Sequence, residues 1–207
     1  MKGTIKDQVR NLKRESILDV SSTLFFEQGY HGTSIESICA ELSVTKPFIY
    51  YHFTKKDDIL HAIYLSSVEC ALESIRKARE TGDTPQRQII LFVEEYVGLA
   101  TSKMQPRIAL NSREKGLLPK EMMRDVNHAK RVFLNEVTDM VRDGAEAGAF
   151  DVATVELAAQ SLLGLLNWVV TWYRPGDKLS PEDIARDLSI TAQRMMGVRL
   201  TAQGDPA

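Results

Sequence analysis

The side chains best suited to contact a polyanion lie in one short segment, residues 45–56. Its lysines can neutralise phosphate and release counterions, and its tyrosine hydroxyls can hydrogen-bond to phosphate oxygens. An aromatic ring such as Phe48 can contact the methyl group of thymine in a major groove. Tyr50 and Phe53 are also consistent with core aromatics. We favour the core for Phe53, and DNA for Tyr51 and His52.

The patterns that catalysis needs are not found in the sequence. It contains no glycine-rich phosphate loop and no nucleophile elbow, and its four histidines share no metal-ligand spacing. Cys39 and Cys70 lack the spacing of a metal or redox site, so we expect both to be small core residues. We therefore predict no enzymatic activity, no metal and no cofactor, and keep a helical enzyme as one alternative class.

The net charge of the whole chain argues weakly against a nucleic-acid partner, so we consider how the charge is distributed along the chain. The whole chain carries a formal charge of −2. Residues 1–60 contain eight Lys/Arg and eight Asp/Glu, so this part is neutral and residues 61–207 hold the whole −2. A rule based on a basic domain does not identify this protein as DNA-binding. The case depends on where the charges lie, including a basic N-terminal stretch that is either a DNA arm or a solvated face: Lys2, Lys6, Arg10, Lys13 and Arg14.

Helices must position these side chains, because the sequence shows helical periodicity and no strand pattern. We predict a first helix that ends at Gly29, then a short helix opened by a capping box from Thr33 to Glu36. Thr45 can cap a third helix, and Thr54 with Asp57 a fourth. Two short helices joined by a tight turn have the proportions of a helix-turn-helix, whose second helix enters a major groove.

Three stretches of this region resemble the TetR (tetracycline repressor) family of regulators. Residues 25–35 (FFEQGYHGTSI) resemble the link between that family's first two helices, and residues 44–53 (VTKPFIYYHF) resemble its recognition helix. Residues 56–60 (KDDIL) resemble the start of its fourth helix. The match covers about residues 13–64 without a gap. Two positions depart from the family pattern, since Cys39 stands where an alanine is familiar and Ser43 where a glycine is.

The resemblance implies an all-α fold, an N-terminal three-helix helix-turn-helix followed by a helical ligand-binding and dimerisation domain. It also assigns DNA-contacting roles by position. Residues Thr33, Tyr50, Tyr51, His52 and Lys56 are expected to contact phosphates, with Ser34 in the same stretch. Nearest the bases we expect Thr45, Lys46, Pro47 and Phe48. We expect a DNA-binding domain over residues 8–54, an effector and dimerisation domain over 55–198, and a disordered tail over 199–207.

The helix predicted between Leu157 and Tyr173 is apolar on more than one face. A helix that is apolar all round must be covered on all sides, and a second copy could cover one of them. We expect Leu166 and Val170 to lie in that interface. With the last helix this segment would form a two-fold, four-helix interface, as the resemblance also implies, and a homodimer would match a palindromic operator.

We predict the effector region from methionines and aromatic residues with polar residues nearby. Methionine and aromatic side chains line adaptable apolar sites, although most of those in this chain are expected to belong to the core. The candidates are Phe92, Tyr96, Met104, Arg107, Asn111, Met123, Phe133, Asn167 and Trp168. Residues 167–176 resemble sensor domains of regulators of fatty-acid and sterol breakdown, whose effectors are acyl-CoA thioesters. Cations for such a ligand would be Arg107, Arg113, Lys115 and Arg174.

These expectations combine into a ligand-responsive regulator, a repressor that a small apolar effector releases from a double-stranded DNA operator. The second alternative, besides an enzyme, is a helical DNA-binding dimer without a ligand switch. The sequence has no signal peptide, and its longest uncharged stretch is shorter than a membrane span of about 20 residues. We therefore expect a cytoplasmic protein with no membrane partner.

Overall fold

The structure, a computed structural model, describes residues 4–113 and 116–198. Within these residues the chain forms nine α-helices and no strand, which confirms the predicted all-α class. The helices are α1 (Ile5–Gln28), α2 (Ile35–Leu42), α3 (Lys46–His52), α4 (Lys56–Thr81), α5 (Pro85–Ala100), α6 (Gln105–Arg113), α7 (Lys120–Glu146), α8 (Val155–Trp172) and α9 (Pro181–Met195). The disordered tail that we predicted lies outside the described residues.

Local sequence explains several helix ends. Helix α1 ends at Gly29, whose φ of +79° suits a residue without a Cβ. Helix α5 begins after Thr84, whose hydroxyl accepts from the Arg87 amide at 3.2 Å. Helix α9 begins after Ser180, which forms a capping box with Asp183. These three predicted ends are confirmed.

The capping box predicted for α2 is wrong by one residue. Ser34, and not Thr33, is the N-cap, and Ser37 completes the box. The reason is that the Thr33 hydroxyl donates to carbonyls at the end of α1 and is not free to cap. The cap predicted for α4 is displaced in the same way. Asp58 accepts from the Lys55 amide, because Asp57 is engaged by the hydroxyl of Tyr30.

The chain divides into two compact units. The first contains residues up to Ser67 together with Pro106–Val126, and the second contains Val68–Gln105 together with residues from Asn127 onward. Helices α4, α6 and α7 contribute residues to both units. These units are defined by packing alone, so the functional boundary that we placed after residue 54 stays a prediction.

One apolar core holds the first unit together. Its fully buried members include Phe25 of α1, Ile38 of α2, Ile49 of α3 and Ile63 of α4. Each of the three N-terminal helices thus contributes a side chain to a core that α4 completes. Burial of such side chains contributes about 1.5–3 kcal/mol each, so the orientation of α3 is fixed by hydrophobic packing.

The second unit is built around α5, α7, α8 and α9. Helix α5 buries Phe92, Val93 and Tyr96, and α8 buries a stripe at helical spacing that includes Leu162 and Leu166. Such a stripe requires that one side of α8 is covered by its own chain. Of the helices described, none combines the length and apolarity that a membrane span requires.

Candidate functional site

A tight turn places α3 after α2. Ser43 ends α2 in the left-handed conformation, with φ 54° and ψ 42°. Its amide donates to the Ala40 carbonyl at 3.1 Å, and the next amide, of Val44, donates to the Cys39 carbonyl at 2.9 Å. This closes the helix as a glycine would, although serine has a Cβ in a region that disfavours it. The turn thus keeps the geometry of a glycine turn although Ser43 stands where the family has glycine.

Helix α3 has one anchored face and one exposed face. Ile49 and Phe53 are buried in the core, as predicted for Phe53. Tyr50 is 51% exposed and Tyr51 is 72% exposed, so neither is a core aromatic. Thr45 lies at the N-cap, but its hydroxyl makes no capping hydrogen bond. The exposed start of α3 therefore presents the Thr45 hydroxyl without a capping role.

Lys46, at the start of α3, forms an ion pair with Glu36 of α2. The hydrogen bond between them raises the pKa of the lysine and lowers the pKa of the glutamate. Both side chains are more than half exposed, so the pair is accessible to a ligand. A DNA phosphate or base would have to replace Glu36 as the partner of Lys46. Sequence reasoning missed this pair, because ten residues and a turn separate its members.

Cations of α1 lie beside the end of α3. The ammonium of Lys13 is 5.7 Å from the ring centroid of Phe48, and the guanidinium of Arg14 is 5.1 Å from that of Phe53. The pKa of His52 is lowered first by burial and then by the charges of Lys13, Arg14 and Arg10. The basic stretch is thus partly gathered next to α3, while Lys2 lies outside the described residues.

Two of the predicted phosphate contacts are used by the fold instead. Thr33 is buried, and its hydroxyl lies 3.2 Å from the Leu24 carbonyl and 3.0 Å from the Gly29 carbonyl. The ammonium of Lys56 donates to the carbonyls of Tyr30 and Thr33, both at 2.8 Å. The assignment of the Thr33 side chain to phosphate is therefore wrong. Lys56 fixes the link between α1 and α2, and its contact with phosphate stays a prediction.

Tyr30 completes this link. Its hydroxyl hydrogen-bonds to Asp57 at the start of α4, and its ring packs edge-on against Phe25 with centroids 5.2 Å apart. The Lys56 ammonium lies 4.2 Å from the centre of the same ring. Burial, followed by the hydrogen bond to Asp57, raises the pKa of Tyr30 above its ordinary value. These contacts hold the link between α1 and α2 against the start of α4.

Four of the nine predicted effector residues come together in the second unit. Tyr96 and Phe133 stack with centroids 6.3 Å apart, and Phe92 packs edge-on against both. The Tyr96 hydroxyl donates to the Asn167 side-chain oxygen at 2.6 Å. Burial raises the pKa of Tyr96. Met104 is also buried in this unit.

The other candidates do not join this cluster. Trp168 is 65% exposed. Arg107, Asn111 and Met123 belong to the first unit, where Asn111 donates to the Ser67 hydroxyl at 2.8 Å and Met123 packs on the core. The nine candidates are therefore divided between the two units, and their role in binding a ligand stays a prediction.

The cations proposed for a CoA group are also not gathered. The buried guanidinium of Arg107 is bonded to Glu15 and Asp19, so it is not a free charge at a pocket mouth. Arg174 is exposed and donates to its neighbour's carbonyl at 2.8 Å. The Arg113 side chain and Lys115 lie outside the described residues.

A cavity of about 560 Å³ lies between α5 and α9, away from the predicted effector residues. It is lined by Arg87, Ile90, Glu94, Gly98, Pro181, Glu182, Ala185, Arg186, Ser189, Ile190 and Gln193. The hydroxyl of Ser189 and the side-chain oxygen of Gln193 are buried and have no hydrogen-bond partner among the described residues. This groove offers apolar surface, two arginines accompanied by two glutamates, and unused polar atoms to a small molecule.

The exposure of side chains on α8 shows that the interface residues that we predicted are wrong. Leu166 and Val170 are fully buried within one chain, so they are not available to a partner. The exposed apolar face is formed by Leu157, Trp168 and Trp172. A Cβ added at Gly164 would meet nothing within 4 Å, so this position of α8 is also open.

Comparison with known families gives two matches that together span most of the chain. Residues 17–63 match the model described as bacterial regulatory proteins, tetR family. Residues 82–196 match the model described as tetracyclin repressor-like, C-terminal domain. The first match includes α2, α3 and the turn between them.

Individual relatives agree with this result. The transcriptional activator FasR of Mycolicibacterium smegmatis is 32% identical over 171 residues, which cover 82% of this chain and 77% of FasR. The regulator PfmR of Thermus thermophilus is 27% identical with a TM-score of 0.78, covering 86% of this chain and 97% of that one. AibR, solved in complex with isovaleryl coenzyme A and operator DNA, is 21% identical with a TM-score of 0.76 and the same coverage. FasR and PfmR are named as transcriptional regulators and the matched family consists of regulators, not enzymes, as we predicted for this chain.

Proposed function

Because the chain belongs to the TetR family of bacterial transcriptional regulators, we propose that it is a repressor that binds a palindromic operator as a homodimer and is released by a small molecule. The observation that carries the DNA-binding part is the geometry of α3. Ile49 and the following Phe53 fix the helix on the core, Phe48 packs partly against it, and Thr45, Lys46 and Pro47 are left exposed. A helix held in this way can enter a major groove without rearranging.

The exposed and half-buried side chains at α3 divide into two proposed roles. Thr45, Lys46, Pro47 and Phe48, at the N-terminal end, contact base edges, since that end of a recognition helix enters the groove. The side chains that follow contact phosphates, together with cations of α1. These phosphate contacts are Tyr50, Tyr51, His52, Lys13 and Arg14.

Paired lysine variants test this assignment. Lys46→Ala removes a proposed DNA contact, whereas Lys55→Ala is a matched control: both lysines are about half exposed and both pair with a carboxylate. Fluorescence anisotropy with DNA that flanks the gene should show a loss of about tenfold for Lys46→Ala, within the range of one good base contact. No loss for Lys46→Ala would remove its side chain from the interface, and a comparable loss for Lys55→Ala would show a general effect of positive charge.

The dimer interface that we propose is the exposed apolar face of α8, continued by α9. Leu157, Trp168 and Trp172 lie on one side of α8, and Met195 of α9 is also exposed. A second copy of the chain would remove this apolar surface from water. Such a two-fold interface presents two α3 helices to two half-sites of a palindrome.

A charge placed in this face tests the interface. Leu157→Glu, at 63% exposure, should give monomers, whereas Leu12→Glu on α1, at 68% exposure, should leave the dimer intact. Light scattering after size exclusion measures the mass, and circular dichroism confirms that both variants remain helical. If Leu157→Glu still forms dimers as tightly as the wild type, the interface lies elsewhere.

The effector class that we propose is an acyl-CoA thioester. Support comes from the likeness of residues 167–176 to sensors of acyl-CoA and from the isovaleryl coenzyme A in the AibR complex, although AibR is similar in fold alone. The place that we propose for it in the second unit is the groove between α5 and α9, where Ile90 and Ala185 offer apolar surface and Arg87 a cation.

Calorimetry with a chain-length series of acyl-CoAs and the matching free acids tests the effector class. Binding should weaken the affinity for DNA, because a ligand that favours one conformation draws the population away from the other. A tenfold loss of operator affinity needs about 1.4 kcal/mol of coupling. Binding by no thioester would exclude this class. A helical dimer without a ligand switch would bind DNA equally with and without every compound.

The sign of regulation has a second candidate, activation, since the relative FasR is named an activator. A reporter fused to the flanking promoter separates the two. Deleting the gene should raise expression from a repressed promoter and lower it from an activated one. We propose repression, in which a bound dimer blocks the promoter.

A further inference from the structure

The first unit contains a buried arginine that lies outside the helix-turn-helix. Arg107 of α6 is 2% exposed, the largest of the fully buried side chains. Its guanidinium donates to Glu15 Oε2 at 3.0 Å, to Asp19 Oδ1 at 2.5 Å and to the Glu15 carbonyl at 3.4 Å, all on α1. It also donates to the Ser66 hydroxyl of α4 at 3.0 Å. Its buried Nε has no acceptor among the described residues.

Stability alone is a poor explanation for this arrangement. Burying a cation carries a large desolvation cost, and a well-packed apolar residue of similar volume is often as stable or more so. What the arginine provides is geometry. Its planar fork bonds two carboxylates that lie one helical turn apart on α1, and a helix held at two points cannot rotate about its axis.

The same helix carries the cations beside α3. Lys13 and Arg14 directly precede Glu15, and they lie next to Phe48, Phe53 and His52. Because α1 is one continuous helix from Ile5 to Gln28, a rotation that released Glu15 and Asp19 would also move both cations. We propose that Arg107 is a positioning residue, which holds α1 so that its cations and α3 present one surface to DNA. This inference rests on the proposed DNA-binding function.

The double variant Glu15→Gln, Asp19→Asn distinguishes the positioning of α1 by Arg107 from a direct effect of these negative charges on DNA binding. It removes two negative charges from α1, so electrostatics alone predicts tighter DNA binding. Loss of the positioning predicts the opposite, a loss of about tenfold, the scale of coupling within one ion-pair network. Glu27→Gln is the matched control, because it removes one negative charge from an exposed position of the same helix.

The pKa of His52, followed by NMR, gives a readout that does not need DNA. Removing negative charge directly lowers the pKa of His52. Moving the α1 cations away from His52 has the opposite effect, and raises this pKa towards its ordinary value of about 6.5. The double variant should therefore show weaker DNA binding and a higher pKa of His52. Glu27→Gln should show neither.

Arg107→Lys is the second variant, since lysine keeps the charge but cannot bond two carboxylates with a planar fork. It should change both readouts in the same direction by a smaller amount. Tighter or unchanged DNA binding with an unchanged or lower pKa of His52, in folded protein, would overturn the proposal. If the wild-type protein binds no DNA, the proposed function fails, and the pKa of His52 still decides whether Arg107 positions α1.

Discussion

Releasing Lys46 from its partner should strengthen DNA binding. In the unbound protein its ammonium is paired with Glu36, and each residue shifts the pKa of the other towards the charged form. DNA binding has to break this pair and leaves a carboxylate facing phosphates. Glu36→Gln removes both costs and retains a side chain of the same size. Because the pair is solvent-exposed, its strength is that of a surface ion pair, and we expect a gain of about two- to fivefold.

The assay is fluorescence anisotropy with operator and random DNA, repeated over a range of salt concentrations. The gain should be largest at low salt, since exposed charges are screened beyond about 10 Å at 0.1 M. Glu41→Gln on the same helix controls for the general effect of removing a negative charge from an exposed position. Weaker binding by Glu36→Gln would refute the argument, because it would mean that Glu36 orients Lys46 or itself accepts from a base.

Three further predictions concern the same helices. The pKa of His52 is lowered in the free protein, and a bound phosphate should raise it, so affinity should increase as pH falls from about 8 to about 6; His52→Gln should flatten this pH profile. Ser43→Gly relieves a left-handed serine and should stabilise the protein by about 0.5–1 kcal/mol in denaturant unfolding, whereas Ser43→Val should destabilise it. Lys56→Met removes two hydrogen bonds from a charged donor and should cost about 1.5–3 kcal/mol of unfolding free energy; an unchanged value would return Lys56 to a phosphate-binding role.

The sequence predicted well those features that depend on neighbouring residues. The ends of α1 at Gly29, of α5 at Thr84 and of α9 at Ser180 follow from local backbone and hydroxyl chemistry. The helix-turn-helix was found from an ordered run of residue types. The buried role of Phe53 followed from the same run.

Features that depend on distant partners could not be predicted in this way. Thr33 looks like a helix cap until α1 supplies the carbonyls that bind it. Arg107 looks like a free cation, but its carboxylate partners precede it by 88 and 92 residues. On α8, both the inner and the outer face carry apolar residues, so residue type alone does not tell the two faces apart. Only the packed fold shows that Leu166 is covered and Trp168 is exposed.

The central claim is that the start of α3 reads the base sequence of DNA. Selection of bound sequences from a random pool, carried out with wild type, Phe48→Ala and Tyr51→Phe, tests it most directly. We predict that the wild type selects a palindrome, that Phe48→Ala loses preference at one position of each half-site, and that Tyr51→Phe keeps every preference while binding more weakly. An unchanged base preference in Phe48→Ala, or no selected sequence for the wild type, would contradict the claim.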